Sequence, residues 1–274
     1  MGARDSDSDS GRDSDSDSGG AGADRRGGRS GPLAVPDSAL ADTLLERLTA
    51  VYPTAADPER ARSMRAYMKD IGPFLGLPAP VQRTLSRTVL AGTPRPTEAD
   101  CAAVALRCLA LPEREYRYFA VDYLRRHVGR CSAAFLPVTR HLVATDSWWD
   151  TVDLLAAHVV GALVAADPRL TADMDRWIAD DDLWIARTAL LHQLRYKERT
   201  DVERLFGYCL RQSGHPDFFL RKAIGWALRE YAKTDPDAVR DFLARERGRF
   251  APLSVREALK NIGEEKEKGE GSGA

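Results

Sequence analysis

Apolar residues recur at intervals of three and four positions through most of the chain between residues 32 and 262. This spacing lines one face of an α-helix, and the strict alternation that is typical of strands is nearly absent. Prolines and Asp-Pro pairs interrupt the pattern where helices would begin or break. The pattern predicts an all-α fold, with helices near 37–51, 57–69, 78–92, 97–110, 112–128, 132–144, 147–165, 170–180, 182–197, 200–212, 216–233 and 236–247, and a last short one near 253–262.

The connections between these predicted helices are short, which favours antiparallel neighbours. Helix pairs of about 40 residues are typical of HEAT-like repeats, in which stacked pairs form an α-solenoid. We therefore expect about six antiparallel pairs, with one helix of each pair contributing to a concave surface. No strong internal repeat is visible in the sequence, so a globular helical bundle is the structural alternative.

The two ends of the chain differ in composition from the part between them. Residues 1–31 are acidic and rich in Ser and Gly, and residues 263–274 are mostly Gly, Glu and Lys. Such segments lack the apolar side chains that would offset the entropy lost on ordering, so we expect both to be disordered. An alternative for residues 1–31 is an acidic arm that competes with a polyanion for a basic surface. Residues 32–262 form the predicted helical domain.

The formal net charge of −1 hides a more basic centre. Residues 31–262 carry 33 basic and 30 acidic side chains, a net charge of +3, which permits nucleic-acid binding without requiring it. No run of 18 apolar residues is present, and the N-terminus has no apolar stretch of the kind found in secretory signals. We therefore expect a cytoplasmic protein with no membrane-spanning helix.

The four cysteines and five histidines show no metal-ligand spacing. No C-x-x-C pair and no H-x-x-x-H pair occurs. Free or buried thiols in a reducing compartment are the simpler interpretation, and neither a metal nor another cofactor is expected.

The segment 147–156 combines aromatic and acidic side chains on a predicted helix. Trp149 and Asp153 are four residues apart, so they share one face, which continues through Ala156 and Val160. A carboxylate on an apolar stripe is either buried and paired or directed into a groove. Trp148 points about 100° away and is expected to pack in the core.

An arginine lies on the apolar stripe of the predicted helix 182–197. Arg187 follows Leu183 by four residues and precedes Leu190 by three. A guanidinium in such a place needs an anionic partner, such as a phosphate or an acidic side chain. A salt bridge to Asp153 is the structural alternative to a functional role.

The segment 218–231 places basic residues beside aromatic ones. Phe219, Ala223 and Trp226 share one face of the predicted helix 216–233. Gly225 lies inside this helix, where glycine costs about 1 kcal/mol relative to alanine, and so indicates a close approach. Core packing beneath a solvated basic face is the alternative to nucleic-acid binding. The basic residues are Arg221, Lys222 and Arg229.

A shaped loop follows the predicted helix 57–69, with Gly72, Pro73 and Gly76 in its first residues. Tyr67 and Lys69 lie just before this loop. On its own, Tyr67 is interpreted as half-buried packing.

Several strings together resemble the AlkD family of bacterial DNA alkylation repair glycosylases. They are YMKDIGPFLGLPAPVQR, SWWDTVDLLA, WIARTALLHQLRYKE, FFLRKAIGWALREYAKTDPDAV and APLSVREALKNI, in family order over roughly residues 60–262. The resemblance implies HEAT-like repeats that curve around duplex DNA. It also implies hydrolysis of the N-glycosidic bond of N3- and N7-alkylpurines, without a metal or cofactor and without flipping the base into a pocket. Residues 1–31 match nothing in the family.

The resemblance also implies roles for particular residues. Trp149 and Asp153 match the family's catalytic Trp and Asp, and Arg187 matches its phosphate-contacting active-site Arg. Tyr67 and Trp226 match aromatics that line the DNA-facing cleft. The basic residues Lys69, Lys222 and Arg229 lie beside these positions, and we expect them to contribute to DNA binding.

The expected partner is double-stranded DNA that carries alkylated purines, bound by a monomer. One alternative is a non-catalytic HEAT-like module that binds DNA or a protein, in which Asp153 and Arg187 pair only with each other. Another is a specialised glycosylase that protects a producer cell from its own DNA-alkylating product.

Overall fold

The computed structural model describes residues 33–260, and it confirms the predicted all-α class, since no strand occurs in this range. The predicted segments 1–31 and 263–274 lie outside the described residues. Thirteen α-helices follow in chain order: α1 Ala39–Val51, α2 Pro58–Tyr67, α3 Ala79–Leu90, α4 Glu98–Leu109, α5 Arg114–His127, α6 Leu136–Ala144, α7 Trp149–Ala166, α8 Thr171–Trp177, α9 Leu183–Leu191, α10 Val202–Arg211, α11 Phe218–Tyr231, α12 Pro236–Glu246 and α13 Pro252–Leu259.

Side-chain caps explain why many of these helices begin where the sequence predicted. Asp57 accepts hydrogen bonds from the backbone N–H groups of Glu59 and Arg60 at the start of α2. Thr97 and Asp100 form a capping box at the start of α4. Such caps satisfy N–H groups that have no partner within the helix. Asp182, Asp201, Asp217 and Asp235 cap α9, α10, α11 and α12 in the same way.

Helix α7 contains a change of helical pitch. Its first part, Trp149–Leu154, and its last part, Gly161–Ala166, are α-helical, whereas Leu155–Val160 forms a π-helical turn. π-Turns inside α-helices are rare and are frequent at functional sites. Helix α7 is also long and apolar enough to cross a membrane by composition, with a mean hydropathy of 1.4, but 61% of it is buried inside the protein. Its apolar character is therefore explained by the core.

Helices α5, α7, α9, α11 and α13 contact one another in succession and form a continuous row. The alternate helices α4, α6, α8, α10 and α12 pack against that row, each one against at least one of its members. This alternation is the arrangement of an α-solenoid, as predicted. The number of repeats stays a prediction.

The hydrophobic core runs between the two sets of helices through the whole described range. It includes three of the four cysteines, Cys101, Cys108 and Cys209, and all four are free thiols, as the sequence predicted. Among residues 33–260, no group of His, Cys, Asp and Glu side chains could hold a metal ion.

Candidate active site

A buried ion pair joins α7 to α9. Arg187 Nε donates to Asp153 Oδ1 at 2.7 Å, and Arg187 Nη2 donates to Asp153 Oδ2 at 2.8 Å. Arg187 Nη1 also donates to the backbone carbonyl of Phe219 in α11. The two side chains are only 5% and 11% exposed. Three successive helices of the row therefore meet at this guanidinium.

The surroundings of Asp153 have opposing effects on its charge. Burial raises the pKa of Asp153 above its ordinary value, and the charge and hydrogen bonds of Arg187 offset only part of that rise. The neighbouring Asp150 carboxylate raises the pKa slightly further. A bidentate guanidinium pair is the arrangement that best keeps a buried carboxylate ionised.

The two tryptophans before Asp153 have different surroundings. Trp149 is half-buried at the start of α7, one helical turn before Asp153. Trp148 packs in an aromatic cluster, with ring centroids 5.7 Å from Trp184 and 4.9 Å from Phe219. Trp148 is therefore packed against other rings but only partly buried, and it lies outside the hydrophobic core that was predicted for it. The Nε1 of Trp148 is buried and has no hydrogen-bond partner.

The basic side chains of α11 are held by the last helix. Lys222 Nζ lies 3.0 Å from Glu257 Oε1, and Arg229 Nη1 lies 2.9 Å from Glu257 Oε2. Lys260 also pairs with this carboxylate. Burial alone would raise the pKa of Glu257, but the hydrogen bonds from Lys260 and Lys222 outweigh burial and lower it to about 2. The sequence did not single out Glu257, so it gave no sign that Lys222 and Arg229 are already paired.

The close approach that Gly225 indicated is the approach of α13 to α11. A Cβ atom at Gly225 would lie 2.4 Å from the Cβ of Glu257 and 2.8 Å from the backbone oxygen of Ser254. Trp226, the next residue, is partly buried and packs against the core. Its predicted place in a DNA-facing cleft stays a prediction.

Tyr67 and Lys69 lie at the end of α2 and just beyond it. The side chain of Tyr67 is 73% exposed, so its interpretation as half-buried packing is wrong. Lys69 is exposed and has a backbone φ of +58°, in the left-handed region that ends many helices. Both side chains are accessible to a partner.

A second buried network, which the sequence did not predict, holds the first turn of α7. Arg114 in α5 pairs with Asp150, at 2.5 Å from Nη2 to Oδ1 and 3.1 Å from Nε to Oδ2. The Tyr118 hydroxyl donates to Asp150 Oδ2 at 2.5 Å. Arg114 and Tyr118 belong to a segment with several other charged residues, so no pattern in the sequence distinguishes them.

Within residues 33–260, the cavities along the helix rows include two of several hundred Å³. One of about 510 Å³ borders the turns before α3, α5 and α7, and one of about 290 Å³ lies among α9, α10 and α11. Neither is lined by Trp149, Asp153 or Arg187. The candidate catalytic groups therefore lie outside both cavities.

The fold and this site define a class of protein, an α-solenoid-like chain with a buried ion pair between two adjacent helices of one row. Trp149 and Asp153 lie on α7, and Arg187 lies on α9. The family model described as "DNA alkylation repair enzyme" matches residues 48–262, and the chain belongs to that family. It is also similar to a solved structure titled as a predicted DNA alkylation repair enzyme from Enterococcus faecalis. The two share 30% identity, with a TM-score of 0.70, over 76% of this chain and 97% of that one. Among curated proteins, no significant match is found.

Proposed function

We propose that this protein is a monofunctional DNA glycosylase that hydrolyses the N-glycosidic bond of N3- and N7-alkylpurines in duplex DNA. The observation that carries the proposal is the buried ion pair between Asp153 and Arg187, one helical turn from Trp149, in a chain of the DNA alkylation repair enzyme family.

The proposed reaction requires an ionised carboxylate, and it does not require a general acid. A purine alkylated at N3 or N7 is already cationic, so it leaves without protonation. Positive charge then develops on the deoxyribose, and an ionised carboxylate such as Asp153 stabilises it and orients or deprotonates the attacking water. Each oxygen of Asp153 accepts one hydrogen bond from Arg187, which leaves a further lone pair on each oxygen for that water. The indole of Trp149 offers a π-face to the cationic sugar.

The pairing with Asp153 leaves Arg187 with spare donors for a phosphate. A guanidinium has five N–H groups, and the three hydrogen bonds of Arg187 use one on each nitrogen. One N–H on each of Nη1 and Nη2 is left. The salt bridge and the phosphate contact are therefore compatible, and in the proposed complex Arg187 joins the catalytic carboxylate to the DNA backbone.

Excision without base flipping is part of the proposal. Enzymes that flip a base enclose it in a close-fitting pocket, and within residues 33–260 neither the cavity of about 510 Å³ nor the cavity of about 290 Å³ is lined by Asp153, Trp149 or Arg187. This supports attack on a nucleotide that stays in the duplex. We further propose that the protein acts as a cytoplasmic monomer with no cofactor.

The test is base release from duplex DNA that carries a single N7-methylguanine, with an unmodified duplex for comparison. We expect release by the wild type, and we expect Asp153→Asn to bind the duplex but lose most of the release. Asp122→Asn is the control, because it makes the same chemical change at an exposed carboxylate that pairs with Arg125 within α5. Near-normal release by Asp153→Asn would contradict the assignment.

The alternative function is a non-catalytic helical module that binds DNA. The pairing between Asp153 and Arg187 is also what that alternative expects, so activity decides between the two. Binding of methylated and unmodified duplexes with equal affinity, and no base release by the wild type, would favour the binding module.

A further inference from the structure

The part of α7 that carries the candidate catalytic groups is short and is held mainly from outside. Its α-helical portion before the π-turn is only Trp149–Leu154, six residues. The residue before it, Trp148, makes no side-chain capping hydrogen bond. The uncapped start leaves the first backbone N–H groups without a side-chain acceptor, and the π-turn shifts the hydrogen-bond register directly after Leu154. Its position therefore depends on contacts with neighbouring helices.

Asp150 supplies the main contact of this kind at the start of the segment. It follows Trp149 directly and precedes Asp153 by three residues. The side chains of Arg114 and Asp150 are 2% and 8% exposed, and their two hydrogen bonds form a fork. Together with the bond from the Tyr118 hydroxyl, three donors fix one carboxylate on the first turn of α7.

The same end of α5 also holds the loop that follows Tyr67 and Lys69. The backbone N–H of Arg114 donates to the carbonyl of Pro73 at 3.0 Å. The next residue, Glu115, is fully buried and accepts hydrogen bonds of 2.8–3.1 Å from three successive backbone N–H groups. These N–H groups belong to Leu75, Gly76 and Leu77. The start of α5 thus connects the loop after α2 to the first turn of α7.

The stability of the folded protein does not by itself explain why the pair between Arg114 and Asp150 is buried. A buried ion pair gives little net stabilisation relative to well-packed apolar groups, because desolvation offsets the attraction. What such a pair does supply is a defined position for the groups that bear it. The group that the network positions is Asp150, which lies between Trp149 and Asp153 in the sequence.

We propose that Asp150, held by Arg114 and Tyr118, is a positioning residue that fixes Trp149 and Asp153 for base excision. The inference rests on the proposed glycosylase function and adds residues from α5 to it. Arg187 on α9 fixes Asp153 from the opposite side. The first part of α7 is thus held from both neighbouring helices of the row, through Asp150 by Arg114 on α5 and through Asp153 by Arg187 on α9.

The experiment compares single-turnover release of N7-methylguanine with the Kd for the same duplex. We expect Asp150→Asn to lower the release rate about 10- to 100-fold, the usual effect of a misplacement of about 1 Å, while Kd changes less than about twofold. Tyr118→Phe removes one of the three hydrogen bonds and should give a smaller loss in the same direction. It also keeps the proposal testable if Asp150→Asn folds poorly.

The chain offers a control network made of the same three types of side chain, an aspartate, an arginine and a tyrosine. Asp175 in α8 accepts hydrogen bonds from Arg204 Nε at 3.1 Å and from the Tyr208 hydroxyl at 2.6 Å, and its side chain is 50% exposed. Asp175→Asn should therefore change thermal stability and leave the release rate as in the wild type. In the Asp153→Asn background, Asp150→Asn should cause no further loss, because residues that act as one unit are not additive.

The outcomes separate the two proposals. An active wild type whose rate falls no more in Asp150→Asn than in Asp175→Asn would overturn the positioning role and leave the glycosylase function intact. Equal losses of rate and of DNA affinity would also overturn it, because they indicate general misfolding. A wild type that releases no base would overturn both proposals.

Discussion

At the scale of single residues, the main result is that the two most unusual residues in the sequence contact each other. Asp153 and Arg187 each lie on an otherwise apolar helical stripe, where the cost of burying a charge predicts a partner for each. The structure brings them together in a bidentate pair. Their contact with DNA stays a prediction. The ion pair is compatible with it, because lone pairs on Asp153 and N–H groups on Arg187 are left over.

The pairing makes a prediction about Arg187→Ala. This variant leaves a buried carboxylate without its partner, so we expect the free energy of unfolding to fall by about 3–5 kcal/mol. DNA binding and base release should weaken together. Urea denaturation and duplex titration would measure the two effects.

A double substitution provides the control. Asp153→Asn combined with Arg187→Met removes both charges and keeps similar volumes, so it should destabilise less than Arg187→Ala alone. If the double variant and Arg187→Ala lose the same free energy of unfolding, the loss comes from packing and not from the unpaired charge of Asp153.

Glu257 gives a pH prediction. Its pKa is about 2 in the folded protein, below the ordinary 4.5, so its ionised form stabilises the fold. That stability is fully present above pH 4.5 and is lost as the pH falls from 4.5 toward 2. Urea denaturation at several pH values should show a smaller decrease over this range for Glu257→Gln than for the wild type. The same slope for both proteins would rule out this role.

At the scale of elements, most helices agree with the predicted pattern, and the main departure is α9. The sequence predicted a helix over 182–197, whereas the structure ends it at Leu191. The side chain of Gln193 exchanges hydrogen bonds with the backbone of Asp201, and the Tyr196 hydroxyl donates to the carbonyl of Gly161. Long-range bonds thus replace helical ones beyond Leu191, which a local periodicity cannot reveal.

The contact between α11 and α13 predicts a large effect of Gly225→Ala. The added methyl group would meet the backbone oxygen of Ser254 and the Cβ of Glu257 at distances too short to relax locally. We expect a loss of about 1–3 kcal/mol or more in thermal or chemical denaturation.

Gly207→Ala is the matched control for that variant. Gly207 also lies inside a helix, α10, but nothing lies within 4 Å of a Cβ there. Alanine should therefore be neutral or stabilising by up to about 1 kcal/mol. A loss of similar size at both positions would contradict the proposed clash.

At the scale of the whole molecule, the candidate functional groups lie on one continuous set of helices. Asp150, Asp153 and Arg187 lie on members of the row α5, α7, α9, α11 and α13, and Tyr67 precedes the loop that α5 holds. A solenoid presents one helix from each pair to an extended partner. This placement suits duplex DNA, in agreement with the family to which the chain belongs.

The surroundings of Lys69, just beyond α2, and Lys222, on α11, predict different salt dependences of duplex binding. Lys69 is exposed, so Lys69→Gln should lower the salt slope of duplex binding by about 1 if it contacts a phosphate. Lys222 is neutralised by Glu257, so Lys222→Gln should change the slope less. Fluorescence anisotropy at several salt concentrations measures both slopes. A larger effect of Lys222→Gln would show that DNA displaces Glu257.

The sequence by itself determined the helical class, the approximate bounds of nearly every helix, and the need of Asp153 and Arg187, each on an apolar stripe, for a partner. These follow from local rules, since apolar spacing, capping residues and the cost of burying a charge act within a few turns of chain. Only the tertiary structure decided which charges neutralise each other. Asp150 pairs with Arg114 across 36 positions, and Glu257 pairs with Lys222 and Arg229 on a neighbouring helix. The free energy of an ion pair depends on distance in space, and helices far apart in sequence become neighbours only when the chain has folded.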